Sequence, residues 1–323
     1  MFDPDINSPA GNNEVVVSEL WTKIGKTLHY CQKRFQQGVR GLRWDIFQPS
    51  MQKPVFIVGC SRAGTTVVYK TFSESREIGS LQRETHDFWM DLHPLSEKRW
   101  DTHALDAAQA SDHDRNCVSR YFYAWTGKRR FVDKNNQNGL CVPYLHALFP
   151  DAHFVFIKRS PGDNLNSLIE GWGKPEEFAT WSDHLPERVE VDGGRYTRWC
   201  FFLAEGWRDY LRAPVEEVCA FQYRAINQAI LDAKRIIPSS QWSEVCYEDL
   251  VRDPVAGFRP LFEATGLRFT PALQQHCANV LDTPYNAFSA IRLNKWKDGR
   301  NLDKIERALP SVLAVAHRMG YPL

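Results

Sequence analysis

The chain has 323 residues, a hydrophobic fraction of 43% and a formal net charge of +1 at pH 7. This length suits one large α/β domain or two small ones. The near-zero net charge excludes the bulk positive field by which many proteins bind nucleic acid. Any site for an anion must therefore be built locally.

The eight cysteines are scattered, and none forms a C-x-x-C pair or a His/Cys cluster with zinc spacing. Their distribution predicts a reducing compartment without structural disulfides. No apolar run reaches the length of a membrane span, and the N-terminus lacks the apolar core of a signal peptide. Together these features predict a cytoplasmic protein.

The chain begins with a polar tail (1–14), and an amphipathic helix is predicted over 15–44. We expect residues 1–50 to precede a single domain over 51–323. The apolar positions of the helix recur at intervals of three or four: Leu20, Ile24, Leu28, Cys31, Phe35 and Val39. The other face is basic: Lys23, Lys26, Lys33, Arg34 and Arg40. Two interpretations remain open, a helix packed on the core or a helix docked on an acidic membrane or a partner.

Short apolar segments then alternate with helical ones. Strands are predicted at 55–58, 129–134, 153–157 and 243–247. Helices are predicted from 65 onward, at 144–149, from 160 onward, through most of 174–240, at 254–266 and at 300–319. The alternation predicts an α/β fold of the P-loop-like three-layer type, with a central parallel sheet flanked by helices. The helical region 174–240 would lie on the substrate side, and its aromatic residues would be mostly core.

The loop after the first strand has the features of an anion site. Gly59 and Gly64 bound it, and a helix start with two hydroxyls follows, so free backbone N–H groups and the positive end of the helix dipole converge. The spacing nearly matches G-x-x-x-x-G-K-[ST], but Thr65 holds the lysine position and the positive charge lies at Arg62. Because that lysine reaches the phosphates of a triphosphate, its absence argues against ordinary ATP or GTP hydrolysis.

A second anion site follows the strand at 153–157. Arg159 lies at the strand tip, Ser160 and Pro161 provide an N-cap and a first helical proline, and Ser167 lies two turns into the helix. An arginine at a strand tip and a serine eight residues later can hold one phosphate together. The pair predicts a second pocket for the same ligand.

These segments resemble the cofactor motifs of sulfotransferases that use 3′-phosphoadenosine 5′-phosphosulfate (PAPS). The run from Ser61 to Thr66 resembles their 5′-phosphosulfate loop, and Arg159 with Ser167 resembles their 3′-phosphate motif. The segments around Tyr247 and Lys295 resemble two further family motifs, and the branch that fits best is the bacterial and tyrosylprotein or carbohydrate one. The resemblance implies a set of cofactor-binding residues: Arg62, Ala63, Gly64, Thr65, Thr66, Arg159, Ser167, Tyr247, Ser289 and Lys295.

The resemblance also implies the chemistry, an in-line transfer of a sulfuryl group to a hydroxyl or amine without a metal. Glu84 would be the base, with His86 as the alternative, while Lys134 and Arg62 would stabilise the transferred charge. The acceptor stays open among a carbohydrate, a phenol and a lipid. A P-loop small-molecule kinase and a non-catalytic nucleotide-binding protein are the alternative functions.

Overall fold

The computed structural model of the chain describes residues 31–282 and 291–322. Within them, the central sheet consists of four strands: β1 (Val55–Gly59), β2 (Val132–Lys134), β3 (His153–Lys158) and β4 (Trp242–Cys246). All adjacent strands are parallel, in the order β2-β1-β3-β4. This confirms the predicted α/β fold with a central parallel sheet.

Helices connect the strands and cover the sheet. The first, α1, occupies 31–47. The others are α2 (Thr65–Ser73), α3 (His86–Leu92), α4 (Asp112–Thr126), α5 (Val142–Leu148), α6 (Pro161–Trp172), α7 (Pro175–Phe178), α8 (Val191–Gly194), α9 (Val215–Lys234), α10 (Tyr247–Arg252), α11 (Pro254–Ala264), α12 (Pro271–Ala278) and α13 (Leu302–Arg318). No helix of the described residues has the length and hydropathy that crossing a membrane requires.

The strand order determines where a site can form. β1 and most of β3 are fully buried apolar runs, as expected for strands covered on both faces. From β1 the chain connects to β2 on one side, whereas from β3 it connects to β4 on the other side. Such a change of direction opens a crevice at the carboxyl ends of the two central strands. The loops that follow Gly59 and Lys158 both lie at this crevice.

One local expectation was wrong, and two others were incomplete. The region 174–240 is mostly helical only over α9, and most of 179–214 is irregular backbone packed around buried tryptophans such as Trp199 and Trp207. Ser160 occupies the N-cap position of α6, but its side chain makes no capping hydrogen bond. Phe35 and Val39 of α1 are exposed, because the helix packs on the domain through its opposite side.

Candidate active site

The loop between β1 and α2 has the backbone of an anion cradle. Arg62 has a φ of 67° and Gly64 a φ of 101°, so two left-handed residues turn the chain into the first turn of α2. A Cβ at Gly64 would lie 2.3 Å from the Tyr247 ring, so no larger residue fits there without displacing that ring. Amide groups of such a turn and of a helix N-terminus together attract an anion.

The residues after β3 contact this loop directly. Arg159 donates a hydrogen bond from its Nη1 to the Arg62 carbonyl at 2.6 Å, and its guanidinium lies 4.4 Å from the centroid of the Tyr247 ring. The Arg159 Nε is buried and has no hydrogen-bond partner among the described residues. Ser167 accepts a hydrogen bond from Arg62 Nε at 3.3 Å. The two predicted anion sites thus lie side by side.

The positive charges of Arg62 and Arg159 repel each other, so the protonated form of Arg62 is less favourable than in an isolated arginine. Burial, reinforced by the charge of Arg159, lowers the pKa of Arg62 to about 10. Arg62 nevertheless stays protonated at neutral pH. A half-buried, positively charged pair of this kind favours a ligand that carries more than one negative charge.

One cavity of about 380 Å³ joins these groups. Most of the predicted site residues line it: Arg62, Gly64, Thr65, Thr66, Glu84, His86, Lys134, Arg159, Ser167, Tyr247 and Lys295. Ala63 is fully buried and does not line the cavity. Ser289 lies outside the described residues.

A carboxylate and an ammonium group face each other at the end of β2. Lys134 donates hydrogen bonds to one oxygen of Glu84 and, at 3.3 Å, to Asn136 Oδ1. Its ammonium also lies 3.5 Å from Thr66 Oγ1, at the mouth of the anion cradle. The other oxygen of Glu84 lies 3.7 Å from His86 Nδ1. Lys134 is only 4% exposed and Glu84 23%, so the pair is held at the inner wall of the cavity.

Comparison with known proteins was consistent with this geometry. Residues 54–199 match the model described as Sulfotransferase family. Over 135 residues the chain is 27% identical to nodulation protein NoeE of Sinorhizobium fredii. This alignment covers 37% of this chain and 32% of that protein. The chain thus spans about a third of the length of this curated relative.

Solved structures share the fold. Sulfotransferase STF9 of Mycobacterium avium superposes with a TM-score of 0.51 at 15% identity, covering 84% of this chain and 77% of that chain. Mouse sulfotransferase SULT7A1 complexed with PAP has a TM-score of 0.42 at 11% identity, covering 84% and 90% of the two chains. Residues 54–199 are therefore similar to the sulfotransferase family, and the fold is one found in solved sulfotransferases. This similarity agrees with the resemblance seen in the motifs around Arg62 and Arg159.

A buried carboxylate that sequence reasoning missed fixes the loop that carries Glu84. Asp133, the residue before Lys134, accepts hydrogen bonds from Thr85 Oγ1 at 2.6 Å and from Trp89 Nε1 at 3.1 Å. Burial raises the pKa of Asp133, and the donated hydrogen bonds act in the opposite direction. One strand thus positions both members of the Glu84–Lys134 pair, the second directly and the first through Thr85.

The segment around Lys295 packs against the start of α6. Asp163 accepts a hydrogen bond from the Asn294 amide at 2.7 Å, and the ring of Trp296 fills the space beside Gly162. Lys295 lines the cavity and pairs with Glu170 at 3.3 Å. Sequence reasoning missed the anchoring by Asp163 and the Glu170 contact, although both residues lie on the helix that carries Ser167.

Within the described residues, no group of three or more His, Cys, Asp or Glu side chains could hold a metal ion. The positive charge of the cavity instead comes from arginine and lysine side chains, Arg62, Lys134, Arg159, Arg292 and Lys295. The cavity thus offers a cradle for anions, and four carboxylates also line it: Glu84, Asp163, Glu170 and Glu177.

Proposed function

We propose that this protein transfers a sulfuryl group from PAPS to a hydroxyl or amine of an acceptor molecule. The observation that carries the proposal is the convergence of three features in one cavity. These features are the glycine turn at Gly64, the Arg159 guanidinium beside it, and the Glu84–Lys134 pair at the mouth of the turn. The match of residues 54–199 to the sulfotransferase family model supports this chemistry.

The chain's own residues fit a ligand with two anionic ends. The backbone turn at 62–64 and the start of α2 would bind the 5′-phosphosulfate, since the first amide groups of a helix have no partner within the helix and attract an anion. Arg159 and Ser167 would bind the 3′-phosphate, and the unpartnered Arg159 Nε is a donor available for it. Tyr247, whose ring covers both Gly64 and Arg159, would pack near the adenosine. Lys295 would reach a phosphate only by leaving Glu170.

PAPS supplies the sulfuryl group, and adenosine 3′,5′-bisphosphate (PAP) is left when it departs. The bond from sulfur to the acceptor oxygen or nitrogen forms while the bond from sulfur to the bridging oxygen breaks. Glu84 would take the acceptor's proton, and Lys134 would stabilise the negative charge that develops on the bridging oxygen. Arg62 and Thr66 would hold the non-bridging oxygens. As in phosphoryl transfer, positioning and charge supply most of the rate enhancement.

His86 gives the Glu84 carboxylate a second neighbour. Because Lys134 contacts one oxygen of Glu84, the oxygen that faces His86 is the better placed of the two to meet an acceptor. His86 is 35% exposed at this point, so a proton that reaches it can pass to solvent. His86 would therefore assist Glu84, or replace it as the base.

The direct experiment is to incubate the protein with ³⁵S-labelled PAPS and panels of carbohydrates, phenols and lipids, and to identify the labelled product. We expect transfer that needs no added metal and that Lys134→Ala lowers by at least about 100-fold. A matched control is Lys234→Ala, a lysine 47% exposed in an ion pair with Glu244, and neither residue lines this cavity. Hydrolysis of a nucleoside triphosphate without any sulfuryl transfer would contradict the proposal.

A further inference from the structure

Helix α1 (31–47) presents a row of large apolar side chains to solvent. Phe35, Val39, Leu42 and Ile46 follow one another at intervals of four, three and four residues, which places them on one side of a helix. They are 50–74% exposed, and Phe47 at the helix end is 70% exposed. We call these five residues the apolar stripe.

The stripe is a concentrated feature of the described surface. Of the six large apolar residues that are strongly exposed within 31–282 and 291–322, five belong to it and the sixth is Ile236. Single exposed apolar residues are normal, whereas a contiguous group marks a site of interaction with another apolar surface.

The opposite side of α1 fixes the direction in which the stripe points. Trp44 is buried against the domain. Arg40 donates a hydrogen bond to the Trp125 carbonyl at 3.2 Å, and Asp45 pairs with Arg120 at 2.7 Å. The helix is thus attached to α4 along one side, and its apolar stripe faces away from the domain.

Outside the stripe, helix α1 is basic. The helix contains Lys33, Arg34, Arg40 and Arg43, against the single acidic residue Asp45, which Arg120 already neutralises. Lys33 and Arg43 have no acidic partner within 4 Å anywhere in the described ranges. The whole chain carries only +1, so this helix is a local concentration of positive charge.

Further basic residues continue this surface past the C-terminal end of α1. Arg129 donates hydrogen bonds at 3.0 Å to both the carbonyl and the hydroxyl of Ser50, three residues after the helix. Lys128, next to it, donates to the carbonyl of Arg76. Arg76 and Arg129 are both exposed. Exposed basic residues therefore also lie near the C-terminal end of α1.

The combination of apolar and basic residues distinguishes between occupants. A second copy of the chain, packed stripe to stripe, would bring two strongly basic helices together, and like charges at such an interface are unfavourable. A bilayer surface with anionic head groups takes up both components, because apolar side chains enter the interface while lysine and arginine contact the head groups. We propose that α1 docks this protein on an anionic lipid surface.

The test is flotation of the full chain with lipid vesicles. We expect the protein to float with phosphatidylcholine vesicles that contain roughly a third phosphatidylglycerol, and to float far less with phosphatidylcholine alone. Lys33→Gln combined with Arg43→Gln should weaken binding about 25-fold, from roughly fivefold for each basic residue. Added salt should weaken it as well, because salt screens the attraction.

The apolar stripe is tested separately. Leu42→Glu combined with Ile46→Glu should abolish flotation, while the matched control Ile236→Glu should leave it unchanged. Circular dichroism checks that these variants fold; if the stripe variant does not, the charge variant still decides. Equal binding to neutral vesicles, or no binding of the unaltered protein, would overturn the proposal. So would a dimer in light scattering that Leu42→Glu dissociates, without vesicle binding, since a second copy would then be the occupant.

Discussion

Replacing Arg159 by alanine tests the division of the cavity into two anion sites. In the structure its guanidinium has two roles, a hydrogen bond to the Arg62 carbonyl and a cationic group beside the Tyr247 ring. The first role supports the loop for any adenine nucleotide. The second would be specific for a ligand with a 3′-phosphate, because the Nε donor has no partner within the described part of the chain.

The two roles affect the two nucleotides differently. Losing the guanidinium-to-carbonyl hydrogen bond that supports the loop costs about 1.5–3 kcal/mol, because its donor is charged, and this weakens PAP and AMP alike by about 10- to 150-fold. Losing charge-assisted hydrogen bonds to the 3′-phosphate costs a further 1.5–3 kcal/mol or so, and only PAP has that phosphate. We therefore expect PAP affinity to fall about 10- to 150-fold more than AMP affinity.

Isothermal titration calorimetry with both nucleotides measures this difference. Arg188→Ala is the matched control, because that arginine is 86% exposed in a surface ion pair. Ser167→Ala should change PAP affinity in the same direction by a smaller amount, since it removes one neutral hydroxyl. Equal losses of PAP and AMP affinity in Arg159→Ala would refute the assignment of Arg159 to the 3′-phosphate.

Three other substitutions test the rest of the site. Glu84→Gln should keep PAP affinity within about twofold but lower turnover 10²- to 10⁴-fold, which is the usual contribution of a general base. Unchanged turnover would mean that another group takes the proton from the acceptor. Gly64→Ala should weaken PAP binding at least about tenfold, because the new Cβ would lie 2.3 Å from the Tyr247 ring. The control is Gly320→Ala, which has a φ of 91° and open space around it, and this variant should keep its PAP affinity. Asp133→Asn should lower both turnover and the unfolding temperature, because the amide cannot accept all the hydrogen bonds that the carboxylate accepts. A buried donor left without an acceptor costs about 1–3 kcal/mol. A variant with normal turnover would show that Asp133 does not position the base.

The sequence alone was sufficient to predict features that depend on residues close together along the chain. The run Val55–Gly59 followed by a glycine turn indicates a strand and an anion loop within a dozen residues. The spacing from Arg159 to Ser167 likewise lies within a single strand-to-helix unit. For this reason the fold class could be predicted from the sequence, and most of the predicted site residues line the cavity.

Contacts between distant segments could not be predicted in this way. The hydrogen bond from Thr85 to Asp133 joins residues 48 positions apart, and the pair of Lys295 with Glu170 joins residues 125 apart. No local pattern encodes such pairs, because they depend on how the strands are ordered in the sheet. Glu84 and Lys134 were named as a pair of roles only through the family resemblance, not through their contact.

The exposure of the apolar stripe shows a different limit of prediction from sequence. A period of three to four residues predicts an amphipathic helix but not which side meets the domain. In α1 the side with Trp44 and Gly41 packs on the domain, and the more regular stripe stays outside. A buried tryptophan and a glycine that allows close approach therefore outweighed the longer apolar pattern.

Calorimetric titration of the unaltered protein with PAP in the presence of EDTA tests the central claim most directly. We expect PAP to bind at one site without a divalent metal, and more tightly than ATP does with magnesium. Tighter binding of ATP that depends on magnesium, with no binding of PAP, would contradict the assignment of this cavity to a sulfuryl donor.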